Sequence, residues 1–335
     1  MMTLTPTFGP AGAVVKHWVT RVMDVILHVG AHRTGTKTFQ DYMHRHAEPL
    51  AEAGIGYWGP GRTRRGLFAG IVPKPEVAKG RDLRRRAEGR VQLQLTAARA
   101  RGLKTLVVSD ESMIGSVRDN ISAGSLYAGI GERMARFARA FEGQVTTVMF
   151  SPRSLELYWS SALSYGVARG HAVPEREKLR SIAYARRGWR DVITDLGCAV
   201  PDADIKVLPF EYYAGRPEVL LERGAGVEAP RDSDRAWLNR TPTLPELRRV
   251  LADRGTLGAV LPFGMERWNP FTPDEHAALR ETYADDMMWL TAGADGIATL
   301  TEDHARTRAG KILPAGAQTE GHGDEHEERQ VARPG

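Results

Sequence analysis

Apolar residues along this chain follow two alternating patterns. Short runs rich in β-branched residues, bounded by glycine or polar residues, are typical of buried parallel strands. Longer segments repeat apolar residues at the spacing of an amphipathic helix. The predicted strands are Val25–Val29, Thr105–Ser109, Val145–Phe150 and Ile205–Phe210. One predicted helix begins near Phe39. The others cover residues 78–101, 119–142, 154–165, 176–196 and 273–290.

Strands that alternate with helices indicate an α/β fold with three layers, in which a parallel sheet carries helices on both faces. Ligands of such sheets lie outside the carboxyl ends of the strands. Three polar groups directly follow predicted strands, namely Thr34–Thr38, Asp110–Glu111 and Arg153. We therefore expect these groups to lie at one edge of the sheet.

The two ends of the chain are not expected to belong to this domain. Residues 1–22 contain no convincing cleavage site and are expected to form a disordered leader. Residues 303–335 are polar and Gly-rich and are expected to form a disordered tail, which leaves residues 23–302 for the domain. No apolar run approaches the ~20 residues of a membrane span. The single cysteine, Cys198, fits a reducing compartment, so we expect the cytoplasm.

The formal net charge is +5, and most of the cations are arginines. Basic proteins bind nucleic acids, membrane surfaces or acidic small molecules. The chain has no zinc-finger spacing, RNA-recognition signature or aromatic-rich basic stripe, so no nucleic-acid partner is expected. One arginine group, Arg62, Arg64 and Arg65, lies in a Gly- and Pro-rich loop, where it either contacts substrate or remains solvated.

The segment Gly30–Thr38 has the composition of an anion-binding turn. It lies between a predicted strand and a predicted helix, so backbone N–H groups and the positive end of the helix dipole face the turn. Arg33 and Lys37 add cations, and three threonines add hydroxyl donors: Thr34, Thr36 and Thr38. The pattern predicts a phosphate- or sulfate-binding loop. The alternative is an ordinary glycine-containing turn with solvated charges.

The spacing of this loop differs from that of nucleotide-triphosphate loops. Those loops read G-x-x-x-x-G-K-[ST], with lysine directly after the second glycine. Gly30 and Gly35 have the required separation, but Thr36 intervenes before Lys37 and Thr38. One extra residue at a helix start rotates the lysine by about 100°.

A second pair of residues has the chemistry of a phosphate site. Arg153 follows the strand Val145–Phe150, and Ser161 comes eight residues later in the next predicted helix. An arginine offers a bidentate, permanently charged fork and a serine a compact hydroxyl, so the two side chains can converge on one phosphate. Ser160 is the neighbouring alternative. Taken alone, the pair also fits a surface arginine beside a helical serine.

These two motifs resemble those of bacterial sulfotransferases that use 3′-phosphoadenosine 5′-phosphosulfate (PAPS), whose loop typically reads H-x-G-x-x-K-T-G-T-T-S-x-Q. The matching residues are His28, Gly30, Thr34, Gly35, Thr36 and Gln40. Arg33 stands where that family usually has a catalytic lysine, and Lys37 replaces a threonine. The resemblance extends over about residues 24–300 through Ser109–Glu111, Trp189–Val192, Val207–Glu211, Leu238–Arg240 and Asn269–Phe271.

The resemblance implies a P-loop-like nucleotide-binding fold and transfer of a sulfuryl group from PAPS, without a required metal, to a hydroxyl or amine acceptor. A glycan or a small metabolite is the expected acceptor. The residues that it implies for the co-substrate are Arg33, Thr34, Gly35, Thr36, Lys37, Thr38, Arg153 and Ser161. It implies a catalytic role for Arg33 and, as the base, Glu111, with His32 as second choice.

Two other function classes remain open at this stage. A nucleotide-triphosphate kinase or hydrolase would use Lys37 and Thr38 as a displaced loop pair, and Asp110–Glu111 as a metal-binding strand end. The second class is a protein that binds the nucleotide without turnover. It remains open because Arg33 replaces the usual lysine. The oligomeric state and the identity of the acceptor are not encoded in any motif that we find.

Overall fold

The computed structural model describes residues 23–72, 80–232, 237–256 and 261–302. The expected leader, residues 1–22, and the expected tail, residues 303–335, lie outside the described residues. The described residues up to Thr301 belong to one compact unit. Within the described ranges, none of the helices combines the length and the hydropathy needed to cross a lipid bilayer.

The centre of the fold is a parallel sheet, which confirms the predicted α/β class. Six strands are described, and their order across the sheet is β2-β3-β1-β4-β5-β6. Every pair of neighbouring strands is parallel. The strands are β1 Asp24–His28, β2 Ile55–Trp58, β3 Thr105–Ser109, β4 Val145–Phe150, β5 Asp204–Val207 and β6 Ala298–Leu300.

Helices connect the strands. A π-helical turn, Thr63–Leu67, continues α3, and short 3₁₀ turns cover Glu111–Met113 and Ala294–Gly296. The described helices are α1 Thr36–Arg45, α2 Ala47–Glu52, α3 Pro60–Arg62, α4 Gly80–Ala100, α5 Val117–Ala123, α6 Ile130–Ala140, α7 Leu155–Ala168, α8 Arg176–Ala183, α9 Trp189–Ala199, α10 Phe210–Tyr213, α11 Pro217–Ala225, α12 Leu244–Asp253 and α13 Pro273–Thr291.

The two faces of the sheet are buried in two separate apolar cores, because successive side chains of a strand point to opposite faces. Ile26 of β1 packs with apolar residues of α1, α2 and α11. Val25 and Leu27 pack with apolar residues of α4, α6, α7, α9 and α13. The sheet is therefore flanked by helices on both faces, as the alternation of elements predicts.

Three of the predicted helices are interrupted in the structure. The segment 119–142 forms α5 and α6, because the chain takes a left-handed conformation at Gly124 (φ 68°). The segment 176–196 forms α8 and α9, and Asp191 closes a cap on the backbone of Gly188. The helix predicted to begin near Phe39 forms α1 and α2, with His46 between them.

The strand predictions differ from the structure at the edges of the sheet. β3 and β4 have the predicted bounds, but β5 ends at Val207 and Phe210 begins the short helix α10. β2 and β6 were not predicted. Both are short edge strands of four and three residues, too brief to display a periodic pattern.

The connections diverge between the two central strands. The chain leaves β1 toward β2 and β3 on one side, and leaves β4 toward β5 and β6 on the other. A crevice opens where connections diverge in this way, at the carboxyl ends of the two strands. The loop after β1 and the turn after β4 meet here.

Candidate functional site

The loop between β1 and α1 is shaped by backbone conformation. Gly30 (φ 100°), Arg33 (φ 64°) and Gly35 (φ 79°) all take the left-handed region. Gly35 caps α1, whose first-turn amides at Thr36, Lys37 and Thr38 have no acceptor within the helix. These amides and the helix dipole together favour an anion in front of the loop.

Backbone hydrogen bonds fix this loop against the end of β4. The Val29 amide donates to the Met149 carbonyl at 3.1 Å, and the Ala31 amide donates to the Ser151 carbonyl at 3.1 Å. The Ser151 amide donates back to Gly30. The pairing of β1 with β4 thus continues into the crevice, which brings the two predicted phosphate motifs side by side.

The threonines of the loop are engaged with the backbone. The hydroxyls of Thr34 and Thr36 donate to the Ala31 carbonyl at 2.7 and 3.0 Å. Thr38 Oγ1 accepts a hydrogen bond from the Leu238 amide at 3.2 Å. Lys37 is exposed, and no carboxylate of the described residues pairs with it. Within the described residues, the donors of the loop that remain for a ligand are the first-turn amides of α1, the Thr38 hydroxyl proton and Lys37.

Arg33 reaches from the loop to α7 and to the segment before α12. Its Nε donates to Ser161 Oγ at 2.9 Å, and its Nη2 donates to the Asn239 carbonyl at 3.0 Å. The guanidinium lies 4.8 Å from the centre of the Tyr165 ring. Ser161 Oγ lies 2.7 Å from Thr241 Oγ1. Burial lowers the pKa of Arg33, and the positive charges of Arg169 and Arg267 act in the same direction.

Arg153 is the second cation of the crevice. Its Nη1 donates to the Arg33 carbonyl at 2.9 Å, and its guanidinium lies 4.7 Å from the centre of the Phe210 ring. The Arg153 carbonyl accepts from Trp189 Nε1 at 2.7 Å. Its Nε is buried and has no hydrogen-bond partner in the part of the chain that the structure describes. Burial lowers the pKa of Arg153 to about 10, and the charge of Arg33 acts in the same direction.

The carboxylates after β3 lie beside the loop. A Cβ added to Gly30 would stand 3.3 Å from Glu111 Cβ, so glycine is required for this approach. Glu111 accepts from Gln40 Nε2 at 2.8 Å and from Arg64 Nη2 at 2.8 Å. Burial alone would raise the pKa of Glu111, but the hydrogen bond and the charge of Arg64 outweigh it and lower the pKa. Glu111 is therefore ionised at neutral pH.

Arg64 also pairs with Asp110, at 2.7 Å. Asp110 is buried and accepts further hydrogen bonds from Thr63 and Ser112. Both carboxylates at the end of β3 thus pair with one loop arginine. The arginine group in the Gly- and Pro-rich loop serves in part to neutralise the end of β3.

His32 lies over Tyr127. Its backbone N–H donates to Tyr127 Oη at 2.9 Å, and its Nδ1 lies 2.9 Å from the same oxygen. The two rings are stacked, with centres 5.7 Å apart. Burial lowers the pKa of His32 to about 4, although Glu111 opposes the shift. His32 is therefore neutral at pH 7.

A narrow groove runs beside the loop on the side of Phe210. It is lined by loop residues Thr34, Gly35 and Thr38, by Ser151, and by the segment Phe210–Pro217 with Trp237. The Phe210 and Trp237 rings meet edge to face at 6.4 Å. The cavity volume is about 20 Å³, room for about one water molecule. A planar ring can enter only if these aromatic side chains separate.

The predicted site residues thus share one edge of the sheet, and Arg33, Arg153 and Ser161 are in direct or adjacent contact. Sequence reasoning missed several of their partners: Arg64, Tyr127, Tyr165 and Thr241. The described residues contain no group of three or more His, Cys, Asp or Glu that could hold a metal ion. No family model, curated protein or solved structure matches the chain.

Proposed function

We propose that this protein binds PAPS in the crevice between β1 and β4 and transfers its sulfuryl group to a hydroxyl or amine acceptor. One observation carries the proposal. Two partly buried arginines, Arg33 and Arg153, lie beside a helix N-terminus whose first-turn amides have no acceptor within the helix, and the charge of Glu211 does not offset the burial of Arg153. Gathering buried like charges is unfavourable unless an anion compensates them. A ligand with two separate anionic groups supplies that compensation.

The residues present fit such a ligand. The amides of Thr36, Lys37 and Thr38, together with the Lys37 side chain, suit a phosphosulfate. The buried Arg153 Nε lacks an acceptor among the described residues and suits the 3′-phosphate, and Ser161 is linked to this position through Arg33. The groove between Phe210 and Trp237 suits the adenine ring, once the two side chains separate. The loop and the strand order around β1 support assigning a P-loop-like nucleotide-binding fold.

The proposed reaction is an in-line displacement at sulfur. The acceptor oxygen or nitrogen forms a bond to sulfur, the bond from sulfur to the bridging phosphate oxygen breaks, and that electron pair passes to the phosphate. Cations and N–H groups directed at the leaving oxygen lower the barrier. Arg33 and Lys37 provide this charge. The acceptor proton passes to a base, and Glu111, ionised and beside Gly30, is our assignment.

The kinase or hydrolase alternative places a metal on the strand end Asp110–Glu111. Asp110 instead accepts hydrogen bonds from Thr63, Arg64 and Ser112, and Glu111 pairs with Arg64. A metal ion would have to displace the arginine from both carboxylates. The inserted Thr36 also displaces Lys37 from its position in nucleotide-triphosphate loops. These contacts favour the sulfotransferase assignment over the kinase assignment.

Thermal unfolding with candidate nucleotides tests the proposal. Adenosine 3′,5′-bisphosphate at a hundred times its dissociation constant adds about 2.7 kcal/mol to the free energy of unfolding, which raises the melting temperature by several degrees. Magnesium-ATP is expected to have a smaller effect. A larger effect of magnesium-ATP, removed by a chelator, would support the kinase alternative. Transfer of radiolabelled sulfate from PAPS to a panel of glycans and metabolites separates turnover from binding alone.

A further inference from the structure

A chain of buried hydroxyl and amide groups lies behind His32. Tyr127 Oη receives the backbone N–H of His32 and contacts His32 Nδ1, both at 2.9 Å. Tyr158 Oη lies 3.3 Å from Tyr127 Oη. Asn120 closes the chain, because its Nδ2 donates to Tyr158 Oη at 2.8 Å and its Oδ1 accepts from the Tyr127 amide at 3.0 Å. Asn120, Tyr127 and Tyr158 are each at most 2 % exposed.

The positions of the protons follow from counting donors along this chain. The Tyr127 amide can only donate, so Asn120 must present Oδ1 to it and Nδ2 to Tyr158. Tyr158 therefore accepts from Asn120, and its own hydroxyl proton is directed to Tyr127 Oη. Any other assignment leaves one buried hydroxyl proton without an acceptor, which costs free energy.

Tyr127 Oη then has both lone pairs occupied, one by the His32 amide and one by Tyr158. Its proton has one remaining acceptor, His32 Nδ1. Burial raises the pKa of both tyrosines, that of Tyr158 to about 12, so both hydroxyls keep their protons at neutral pH. A neutral imidazole that accepts at Nδ1 carries its own proton on Nε2.

We propose that Asn120, Tyr158 and Tyr127 hold His32 as a neutral imidazole protonated at Nε2, which donates a hydrogen bond to an oxygen of the bound substrate and does not act as the base. Asn120, Tyr158 and Tyr127 are positioning residues in this scheme. No described residue accepts from His32 Nε2. The part of the inference that concerns substrate rests on the proposed function, whereas the proton arrangement does not.

Nitrogen NMR of the histidine-labelled protein tests the proton arrangement directly, without any ligand. At pH 7.5 the His32 ring is expected to show an unprotonated Nδ1 and a protonated Nε2, with the signal assigned by its loss in His32→Gln. Tyr127→Phe removes the donor to Nδ1 and is expected to mix the two tautomers. Tyr184→Phe, at an exposed tyrosine outside the chain of hydrogen bonds, is the matched control and should leave the spectrum unchanged. A protonated Nδ1 in the unmodified protein overturns the inference.

Turnover of two substitutions at His32 tests the role. Glutamine keeps an N–H donor near the position of Nε2 but cannot accept a proton at pH 7. Alanine can neither donate a hydrogen bond there nor accept a proton. We expect His32→Gln to retain activity within about tenfold of the unmodified protein and His32→Ala to lose about 10²-fold. Equal loss in both variants would identify His32 as the base and overturn the inference. If the unmodified protein shows no sulfuryl transfer, the proposed function fails, and the NMR result still decides the proton arrangement.

Discussion

Arg33 Nε donates to Ser161 Oγ at 2.9 Å across 128 residues of sequence, which joins the anion-binding loop to helix α7. Both residues were expected to contact the same co-substrate, but the contact between them was not expected. It means that the two phosphate motifs form one connected surface before any ligand arrives. This geometry gives an expected effect for substitutions at each of the residues below.

Arg153 should act on nucleotide binding. Its Nε has no partner and its guanidinium is largely buried, so a phosphate contact there is charge-assisted and shielded from water. Arg153→Ala is expected to weaken binding of adenosine 3′,5′-bisphosphate by about 2–4 kcal/mol. Calorimetric titration measures this, with Arg86→Ala on the exposed face of α4 as control. Unchanged affinity in Arg153→Ala would show that the 3′-phosphate lies elsewhere.

Arg33 should affect both binding and turnover. Arg33→Ala removes the hydrogen bonds to Ser161 and Asn239 as well as the charge. Arg33→Lys keeps the charge and is expected to retain or raise kcat, since electrostatic stabilisation of the leaving phosphate needs only the cation. A titration beside a turnover assay on the same preparations separates the two effects. A lysine variant as inactive as the alanine variant would indicate that the planar guanidinium itself is required.

Glu111 should act on turnover alone. It lies beside the loop but is not expected to contact the nucleotide, so Glu111→Gln should bind adenosine 3′,5′-bisphosphate normally. Loss of a positioned base is expected to lower kcat by about 10²–10⁴-fold. Asp119→Asn, an exposed carboxylate at the start of α5, is the control. Normal turnover in Glu111→Gln would remove Glu111 from the mechanism.

Arg64 should set the pH range of activity. Its hydrogen bond lowers the pKa of Glu111 against the effect of burial. A base works only when it is deprotonated, so the rate is expected to fall as the pH drops through that pKa. Arg64→Lys weakens the pairing, and the acid limb of the rate profile should therefore move to higher pH. Arg65→Lys, at an exposed neighbouring arginine, should leave the profile in place. An unchanged limb in Arg64→Lys would show that Glu111 does not control it.

His28 should make the fold sensitive to acid. Burial lowers its pKa from 6.5 to about 4, so between these values the unfolded chain binds a proton that the folded chain does not. His28 therefore contributes a fall of about 1.4 kcal/mol per pH unit to the free energy of unfolding as the pH drops through this range, and His32 contributes in the same direction. Urea unfolding from pH 7.5 to 4.5 measures the slope. His28→Gln should have a shallower dependence, and an identical slope in the variant would contradict the assignment.

The sequence predicted the centre of the fold better than its edges. β3 and β4 have the predicted bounds because their β-branched residues are buried on both faces, which leaves a continuous apolar run. β2 includes Gly56, where a Cβ would approach Leu103 Cδ1 to 2.4 Å. A strand with a glycine packed against a leucine side chain has no such apolar run. The breaks at Gly124 and Gly188 are instead made by local features, a left-handed glycine and the cap from Asp191.

The predicted site residues fall at the expected edge because the carboxyl ends of parallel strands lie together. Their partners could not be predicted in the same way. Thr241 and Asn239 meet Arg33 from a segment more than 200 residues away, with no motif that relates them. The neutralisation of Asp110 by Arg64 depends on how a π-helical turn folds over the end of β3. Side-chain pairing of this kind is decided by packing rather than by local pattern.

The long separation between Arg33 and Asn239 has a consequence for the newly made chain. At ~5–20 residues per second, the ribosome needs roughly 10–40 s to extend the chain by the 206 positions from Arg33 to Asn239. During that time the anion-binding loop already exists, but the segment that anchors its arginine does not. A nascent chain that ends before Asn239 therefore lacks a complete pocket. Competence to bind ligand is acquired late in translation, after most of the sheet has been synthesised.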